Sequence, residues 1–298
     1  MDGGTVKDSL PFLLFRSLRP KQWTKNVAIF AALVFSQRFF EPTFFLETLL
    51  AFFLFCFISG SVYILNDVVD LEQDKKHPQK SKRPLASGKL SPSAAVTVGA
   101  IIMVVSVTVS YRLSIPFCIV ATSYLILQVV YSFYLKHLVI LDVFCVAAGF
   151  VLRVVGGAEV IHVPISSWLL ICTILLSLFL AMSKRRHELI LLEDNAVHHR
   201  KILYEYSPYF LDQMISVVTS STVIAYALYT MSEETVKKFH TDNLKFTIPF
   251  VIYGIFRYLY LIHQKNEGGS PEMVLLTDKP LIINILLYGL VVGFILYF

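Results

Sequence analysis

Apolar segments of about 20 residues, the length that crosses the hydrocarbon core of a bilayer as a helix, recur along the whole chain. In lipid such a helix satisfies its own backbone hydrogen bonds, so these segments constrain the fold more than any other feature. The composition agrees, because 56% of the 298 residues are hydrophobic and only 16% are charged. The sequence therefore predicts an all-α integral membrane protein that forms a single domain over residues 1–298.

Nine segments are apolar enough to be predicted as membrane-spanning helices. They are residues 25–40, 44–65, 93–111, 115–135, 139–157, 165–183, 212–230, 246–263 and 281–298. The first has the shortest apolar part and carries Arg38 near its end. An odd number of spans places the two termini on opposite sides of the membrane.

The lysines and arginines indicate which side is cytoplasmic, because cytoplasmic loops carry the excess of these residues. With the N-terminus inside, 19 of the 26 lysines and arginines lie in cytoplasmic segments and 5 lie on the other side. We therefore expect a multi-pass protein of the cell (inner or plasma) membrane with a cytoplasmic N-terminus. Two long charged loops, after the second and sixth spans, then share the cytoplasmic side, and we expect both to contribute to one site.

The loop after the second span begins with the acidic run NDVVDLEQD at residues 66–74. If the helix continues, Asn66, Asp70 and Asp74 lie on one face, with Asp67 three residues before Asp70. Stacked carboxylates repel unless a cation neutralises them, and Mg²⁺ prefers oxygen ligands supplied by a few carboxylates together with substrate phosphates. The run thus indicates either a Mg²⁺–diphosphate site or a solvated loop beside the membrane. The lysines that follow it either bind phosphate or simply obey the positive-inside rule.

Several stretches resemble the UbiA superfamily of intramembrane prenyltransferases. They are the acidic run itself, KSKRPLASG at 80–88, LRPKQWTKN at 18–26, LDVFCVAAGFVLR at 141–153 and SKRRHELILLED at 183–194. The resemblance implies nine transmembrane helices in a bundle around a central cavity that opens to the cytoplasmic side. It also implies that Asp67, Asp70 and Asp74 bind Mg²⁺ and form the catalytic centre, on the cytoplasmic side.

The last three stretches resemble the branch of this superfamily that transfers 5-phosphoribose from phosphoribosyl diphosphate to a polyprenyl phosphate. Prenyl-transferring members carry a second D-x-x-x-D motif after the sixth span, where this chain has Lys184, Arg185 and Arg186 before Glu188. Cationic side chains there suit a reaction with additional phosphate groups. The alternative is a prenyltransferase that moves an isoprenoid from its diphosphate to an aromatic acceptor. A transporter or lipid-binding protein also remains open, but it gives no reason for the ordered acidic run.

The resemblance and the charges together predict a set of site residues. Glu188 is expected to complete the metal site, although an ion pair with Lys184 is the alternative. Asp142 is expected to contact a ribose hydroxyl or to cap a helix, and Tyr131 and Lys136 resemble a Y-x-x-x-K element with one extra residue between them. The predicted substrate-binding residues are Lys21, Lys25, Asn66, Lys82, Arg83, Tyr131, Lys136, Asp142, Arg153, Lys184, Arg185 and Arg186.

One of these residues, Arg153, lies within a predicted span. A charge at that depth is costly and usually faces the interior of a bundle. Its neighbours Gly156 and Gly157 are expected to open a cavity beside it. The expected partners of the protein are phosphoribosyl diphosphate, polyprenyl phosphate, Mg²⁺ and membrane lipid, with no nucleic acid and with a homo-oligomer as an open possibility.

Overall fold

The computed structural model describes residues 9–76, 80–194, 205–265, 269 and 271–298. Over these residues the protein is all-helical, as predicted, and eight helices are long and apolar enough to cross a membrane. These are α3 (Pro42–Val69), α5 (Pro92–Leu113), α6 (Ile115–Phe133), α7 (Leu141–Val160), α8 (Ser167–Asp194), α9 (Pro208–Met231), α11 (Ile248–Gln264, preceded by a 3₁₀ turn at Asn243–Thr247) and α13 (Lys279–Tyr297). The shorter helices are α1 (Leu10–Ser17), α2 (Phe30–Phe35), α4 (Leu71–Lys76), α10 (Glu233–Phe239) and α12 (Pro271–Thr277).

A ninth spanning helix is not confirmed. The predicted span at 25–40 is divided between a 3₁₀ helix, Pro20–Ile29, and the six-residue α2. The chain then turns, with Gln37 at a φ of 61°. Neither piece alone has the length of a membrane-spanning α-helix.

Serine and proline define where several spanning helices begin. Ser91, Ser114 and Ser207 accept a hydrogen bond from the backbone N–H three residues later and so cap α5, α6 and α9. In each helix proline occupies one of the first two positions, where no intrahelical N–H bond is lost. Together the cap and the proline stop one span and start the next within a short connection.

The chain divides into two compact units, and α7 contributes to both. The first unit contains residues 1–134 and 152–164, and the second contains 135–151 and 165–298. In the first unit α3 packs against α5, and α5 packs against α6. In the second, α8 packs against α9, and α11 packs against α9 and α13.

Two glycines allow close packing inside the first unit rather than opening a cavity. A Cβ atom on Gly157 would lie 1.9 Å from the carbonyl oxygen of Ile29, so the 3₁₀ helix passes directly against α7 at this point. A Cβ on Gly156 would lie 3.0 Å from the ring of Phe55. The expectation of an open space beside Arg153 was therefore wrong at these glycines, because backbone and an aromatic ring fill it.

Candidate active site

Two buried carboxylates of the acidic run share one guanidinium group. Asp67 lies in the last turn of α3 and Asp74 lies in α4, and each side chain is 3% exposed. Nη1 of Arg83 donates to Oδ1 of Asp67 over 3.0 Å and to Oδ2 of Asp74 over 2.5 Å. Two carboxylate oxygens from helical positions seven residues apart thus converge on a single cationic atom. Arg83, predicted as a phosphate-binding residue, thus lies against the carboxylates of the acidic run.

Arg19 is a second cation of this cluster, and the sequence analysis did not single it out. It donates through Nη2 to Oδ1 of Asp67, and its guanidinium lies 4.7 Å from the ring centroid of Tyr63. Its backbone is left-handed, with a φ of 53°, immediately before Pro20 and the 3₁₀ helix. The stretch LRPKQWTKN contains Arg19, but its partner lies 48 residues away in the sequence. The resemblance of that stretch to a family motif was the available signal.

The helix of α3 does not continue unbroken through the acidic run, which was the condition for placing Asn66, Asp70 and Asp74 on one face. α3 ends at Val69 and α4 begins at Leu71, with the partly exposed Asp70 between them. The helical path is nearly kept, because the N–H of Asp74 donates to the carbonyl of Asp70 over 2.8 Å. Asn66 is also partly exposed, and its carbonyl accepts from the N–H of Asp70 over 2.9 Å.

The predicted metal ligands of the acidic run lie at Asp67, Asp70 and Asp74, of which Asp67 and Asp74 are buried. Within the described ranges, no three or more His, Cys, Asp or Glu side chains form a group able to hold a metal ion by themselves. Asp67 and Asp74 nevertheless supply hard oxygen donors aimed at one cationic atom, and Mg²⁺ is commonly held by one or two carboxylates completed by substrate phosphates and water. These two carboxylates therefore fit a Mg²⁺ site. In this structure Nη1 of Arg83 is the positive group between them.

The predicted basic residues of the first unit lie in different surroundings. Lys21 and Lys82 are exposed and Lys25 is half-buried. Lys80, which follows the acidic run, has its Nζ 3.8 Å from Oδ1 of Asp74. The carbonyl of Lys82 accepts a hydrogen bond from Arg16 over 3.4 Å.

Arg153 is buried, as expected for a charge within a span, and it holds the N-terminal segment. Its Nε donates to Oδ1 of Asn26 over 2.6 Å, and its Nη2 donates to the hydroxyl of Tyr124 over 2.8 Å. The amide of Asn26 in turn donates to Sγ of Cys56 over 3.2 Å. Arg153 thus fixes the segment that carries Arg19, a connection that sequence spacing does not reveal.

A second charged cluster lies in the second unit, centred on Arg185 of α8. Its Nε donates to Oδ2 of Asp142 over 2.6 Å and its Nη1 donates to Oε2 of Glu188 over 2.7 Å. The side chain of Arg185 is 5% exposed, and that of Asp142 is fully buried. Glu188 pairs with Arg185 here, whereas the sequence analysis had named Lys184 as its alternative partner.

Tyr206 connects this cluster to the start of α7. Its hydroxyl donates to Oδ1 of Asp142 over 2.8 Å and accepts from the N–H of Ile140 over 2.7 Å. Ile140 has a φ of 69°, unusual for a β-branched residue. Burial raises the pKa of the Tyr206 hydroxyl well above its usual range, so it remains a donor at physiological pH. The two oxygens of Asp142 accept hydrogen bonds from Tyr206 and Arg185, and not the capping bond that was the alternative prediction.

The remaining predicted residues are placed as follows. Arg186 makes a two-pronged contact with Asp212 of α9, with Nε to Oδ1 at 2.5 Å and Nη2 to Oδ2 at 3.3 Å. Lys184 is half-buried in α8, as is Tyr131 in α6. Lys136, also half-buried, lies in the 3₁₀ turn Leu135–His137.

Comparison with known proteins identifies the family. The family model described as "UbiA prenyltransferase family" matches residues 26–270. The chain is 32% identical over 279 residues to decaprenyl-phosphate phosphoribosyltransferase of Corynebacterium glutamicum, covering 90% of this chain and 82% of that protein. It is 31% identical to the enzyme of the same name from Mycolicibacterium smegmatis, covering 96% and 92%.

A solved structure has the same fold. The UbiA homologue from Archaeoglobus fulgidus bound to GPP and Mg²⁺ superposes with a TM-score of 0.71 at 19% identity, covering 96% of this chain and 99% of that one. Its fold agrees with the multi-pass helical architecture described above. The chain therefore belongs to the UbiA prenyltransferase family.

Proposed function

We propose that the protein transfers 5-phosphoribose from phosphoribosyl diphosphate to a polyprenyl phosphate of decaprenyl type and releases diphosphate. The observation that carries this proposal is the similarity to decaprenyl-phosphate phosphoribosyltransferases over 90% of the chain or more. The cationic sequence at 184–186 supports it, because phosphoribosyl diphosphate and a polyprenyl phosphate bring more phosphate groups than a prenyl diphosphate does.

The acidic run is proposed to bind the donor. Asp67, Asp70 and Asp74 hold Mg²⁺, which when bound neutralises charge on the departing diphosphate. Arg83 and Arg19 lie at the same carboxylates and offer guanidinium groups to phosphate oxygens. The exposed Lys21 and Lys82, with the half-buried Lys25, provide further positive charge for the phosphates of the donor. Lys136, in the second unit, is proposed separately as a contact to a substrate phosphate.

The chemistry needs little from general acid–base groups. As the C1–O bond of the donor breaks, the ribose gains oxocarbenium character, as in glycoside hydrolysis. The acceptor phosphate is already anionic at neutral pH and attacks C1 without losing a proton to a base. The main tasks of the protein are therefore to position both substrates and to stabilise the departing charge.

The cluster around Arg185 is proposed to act through position rather than as a metal site. Both oxygens of Asp142 are already hydrogen-bonded, and Glu188 is held by Arg185. We therefore no longer assign ribose binding to Asp142 or metal binding to Glu188. Instead, both carboxylates are proposed to hold Arg185 rigidly beside Lys184 and Arg186. A guanidinium held in this way supplies a fixed positive charge beside Lys184 and Arg186 at a small entropic cost.

The orientation in the membrane follows from the charge distribution and is part of the proposal. The excess of lysine and arginine in the loops after α3 and α8 supports a cytoplasmic position for the acidic run. A cytoplasmic N-terminus additionally requires the two short helices Pro20–Ile29 and Phe30–Phe35 to cross the membrane together. The donor would then reach the acidic run from the cytoplasm, and the lipid acceptor would arrive from within the membrane. A protease or thiol-labelling experiment on intact and permeabilised vesicles tests this orientation.

The proposed activity is tested with purified full-length protein in detergent, Mg²⁺, decaprenyl phosphate and phosphoribosyl diphosphate labelled in the ribose. We expect label in the organic phase, lost on addition of EDTA. A parallel reaction contains a labelled prenyl diphosphate and an aromatic acid. Transfer only in this second reaction would overturn the proposal in favour of prenyl transfer.

A further inference from the structure

The cations at the acidic run are only partly enclosed, whereas the acids are buried. Arg19 and Arg83 are 26% and 28% exposed, and Asp67 and Asp74 are each 3% exposed. A buried carboxylate without a partner is destabilising by several kcal/mol. These two guanidinium groups therefore compensate the charge of the two carboxylates and hold them in place.

The guanidinium of Arg83 and a metal ion cannot both lie between the carboxylates of Asp67 and Asp74. Nη1 of Arg83 lies 3.0 Å from the Asp67 oxygen and 2.5 Å from the Asp74 oxygen. Mg²⁺ binds its oxygen ligands at about 2.0–2.1 Å, so an ion that used both oxygens would overlap the guanidinium. Binding of the metal requires Arg83 to move.

A diphosphate offers these arginines a new partner at the moment the metal displaces them. Phosphate oxygens accept two parallel hydrogen bonds from a guanidinium, as carboxylates do. We propose that Arg19 and Arg83 are exchangeable counter-ions, which hold Asp67 and Asp74 in the metal-free protein and transfer to the diphosphate of the donor when Mg²⁺ binds. This inference rests on the function proposed for the acidic run, and it assigns Arg19 to the site.

Cooperative binding follows from the exchange. Metal alone must displace two guanidinium groups without supplying them with a replacement anion, so it binds weakly. Diphosphate alone meets a cluster whose cations are already engaged by carboxylates. Each ligand therefore raises the affinity for the other by the same factor, as thermodynamic reciprocity requires. Direct coordination of the metal by diphosphate also couples the two ligands, so the contribution of the arginines is measured with variants of Arg83.

The test measures Mn²⁺ binding to the purified full-length protein by electron paramagnetic resonance, with and without inorganic diphosphate. The Asp67→Asn, Asp74→Asn double variant gives the background of Mn²⁺ held by diphosphate alone. For the wild type we expect diphosphate to raise Mn²⁺ affinity by about tenfold or more, within the usual range of coupling between sites. Equal Mn²⁺ affinity with and without diphosphate would overturn the inference.

Variants of the cation separate exchange from general loss of structure. Arg83→Gln is expected to bind Mn²⁺ alone more tightly than the wild type and to lose most of the effect of diphosphate. Arg83→Lys keeps a point charge but not the two-pronged contact, and should give an intermediate effect. Arg16→Gln is the matched control, since Arg16 is exposed and contacts a backbone carbonyl. An Arg83→Gln variant that behaves like the wild type would contradict the inference.

If Arg83→Gln is less stable than the wild type, the rise in its unfolding temperature on addition of Mg²⁺ still tests the exchange. Because its carboxylates lack Arg83, Mg²⁺ alone should raise the unfolding temperature of this variant more than that of the wild type. An equal rise in both would count against the exchange. Coupled Mn²⁺ and diphosphate binding without phosphoribosyl transfer would uphold the exchange and refute the proposed function. Transfer that persists in EDTA, with no Mn²⁺ binding, would refute the exchange and leave transfer intact.

Discussion

The two charged clusters of this protein use the same residue types in opposite arrangements. At the acidic run, two buried carboxylates share arginines whose side chains are about a quarter exposed. In the second unit, one arginine that is 5% exposed lies between two carboxylates, of which Asp142 is fully buried. The first cluster fixes its acids and leaves its cations able to move, while the second fixes its cation.

This difference matches what each cluster is proposed to do. A site that must accept a metal and a diphosphate needs buried oxygen ligands and counter-ions that can leave. A residue that presents one permanent positive charge to an anion needs a rigid frame, and Arg185 is held by Asp142 and Glu188, with Tyr206 holding Asp142. Variants that act on one cluster at a time test this difference.

The largest effect on stability is expected for Arg185→Ala. Removing the arginine leaves a fully buried carboxylate at Asp142 without its ion pair, and breaking a buried pair typically costs about 3–5 kcal/mol. Denaturant unfolding in detergent measures the change. Arg186→Ala is the control, because its pair with Asp212 is more exposed and should contribute less. Equal losses of unfolding free energy in both variants would show that Arg185 is not held more firmly than Arg186.

The next effect is on activity, through Asp74→Asn. The amide keeps the size of the side chain but removes the charge that Arg83 neutralises and that the proposed metal would use. We expect turnover to fall by about 10²–10³, as for loss of one preorganised electrostatic contact, while the protein stays folded. The radiolabel transfer assay and circular dichroism together measure this. Full activity in Asp74→Asn would exclude it as a ligand.

Tyr206→Phe should have a smaller effect, confined to the second cluster. The variant removes the hydroxyl that donates to Asp142 and accepts from Ile140 N–H, and a hydrogen bond to a charged group contributes about 1.5–3 kcal/mol. Unfolding of Tyr209→Phe provides the control, since Tyr209 is 74% exposed on the following helix. If the two variants unfold alike, Tyr206 does not support the frame around Arg185.

The smallest effect concerns pH at a third, more exposed pair. Arg257 donates two hydrogen bonds to Asp278, which caps α13, and they lower the pKa of Asp278 below its ordinary value. A lowered folded-state pKa contributes stability above the unfolded pKa of about 3.9, and this contribution is lost as pH falls through the folded-state value. Asp278→Asn should therefore be less stable than the wild type near neutral pH and converge with it in strong acid. A constant difference down to pH 3 would contradict this.

The sequence was sufficient for the features that depend on local periodicity. Apolar length predicted the spanning helices that begin at Pro42, Pro92 and Ile115, because a membrane-spanning helix is defined by about 20 consecutive residues. Arg83 lies only 9 residues from Asp74 in the chain, but its pairing with Asp67 and Asp74 was not predicted. The predicted first span instead became a 3₁₀ helix followed by a short α-helix.

The parts that the sequence did not predict depend on long-range packing. Arg19 reaches Asp67 across 48 residues, and Arg153 reaches Asn26 across 127. The carboxylate of Glu188 is a chemically suitable metal ligand, but Glu188 lies one turn of α8 from Arg185 and accepts a hydrogen bond from it. Gly157 lies where the backbone of Ile29 crosses α7, and only the fold shows which element fills that space. Charge type alone does not indicate which of several nearby partners a side chain selects.

The most direct test of the comparison is an experimental structure of the protein with Mg²⁺ and phosphoribosyl diphosphate bound. We expect Arg19 and Arg83 to leave Asp67 and Asp74 and to contact phosphate oxygens, with the metal against the two carboxylates. We also expect Arg185 to stay between Asp142 and Glu188. A structure in which Arg83 still bridges Asp67 and Asp74 with the donor bound would rule out the exchange.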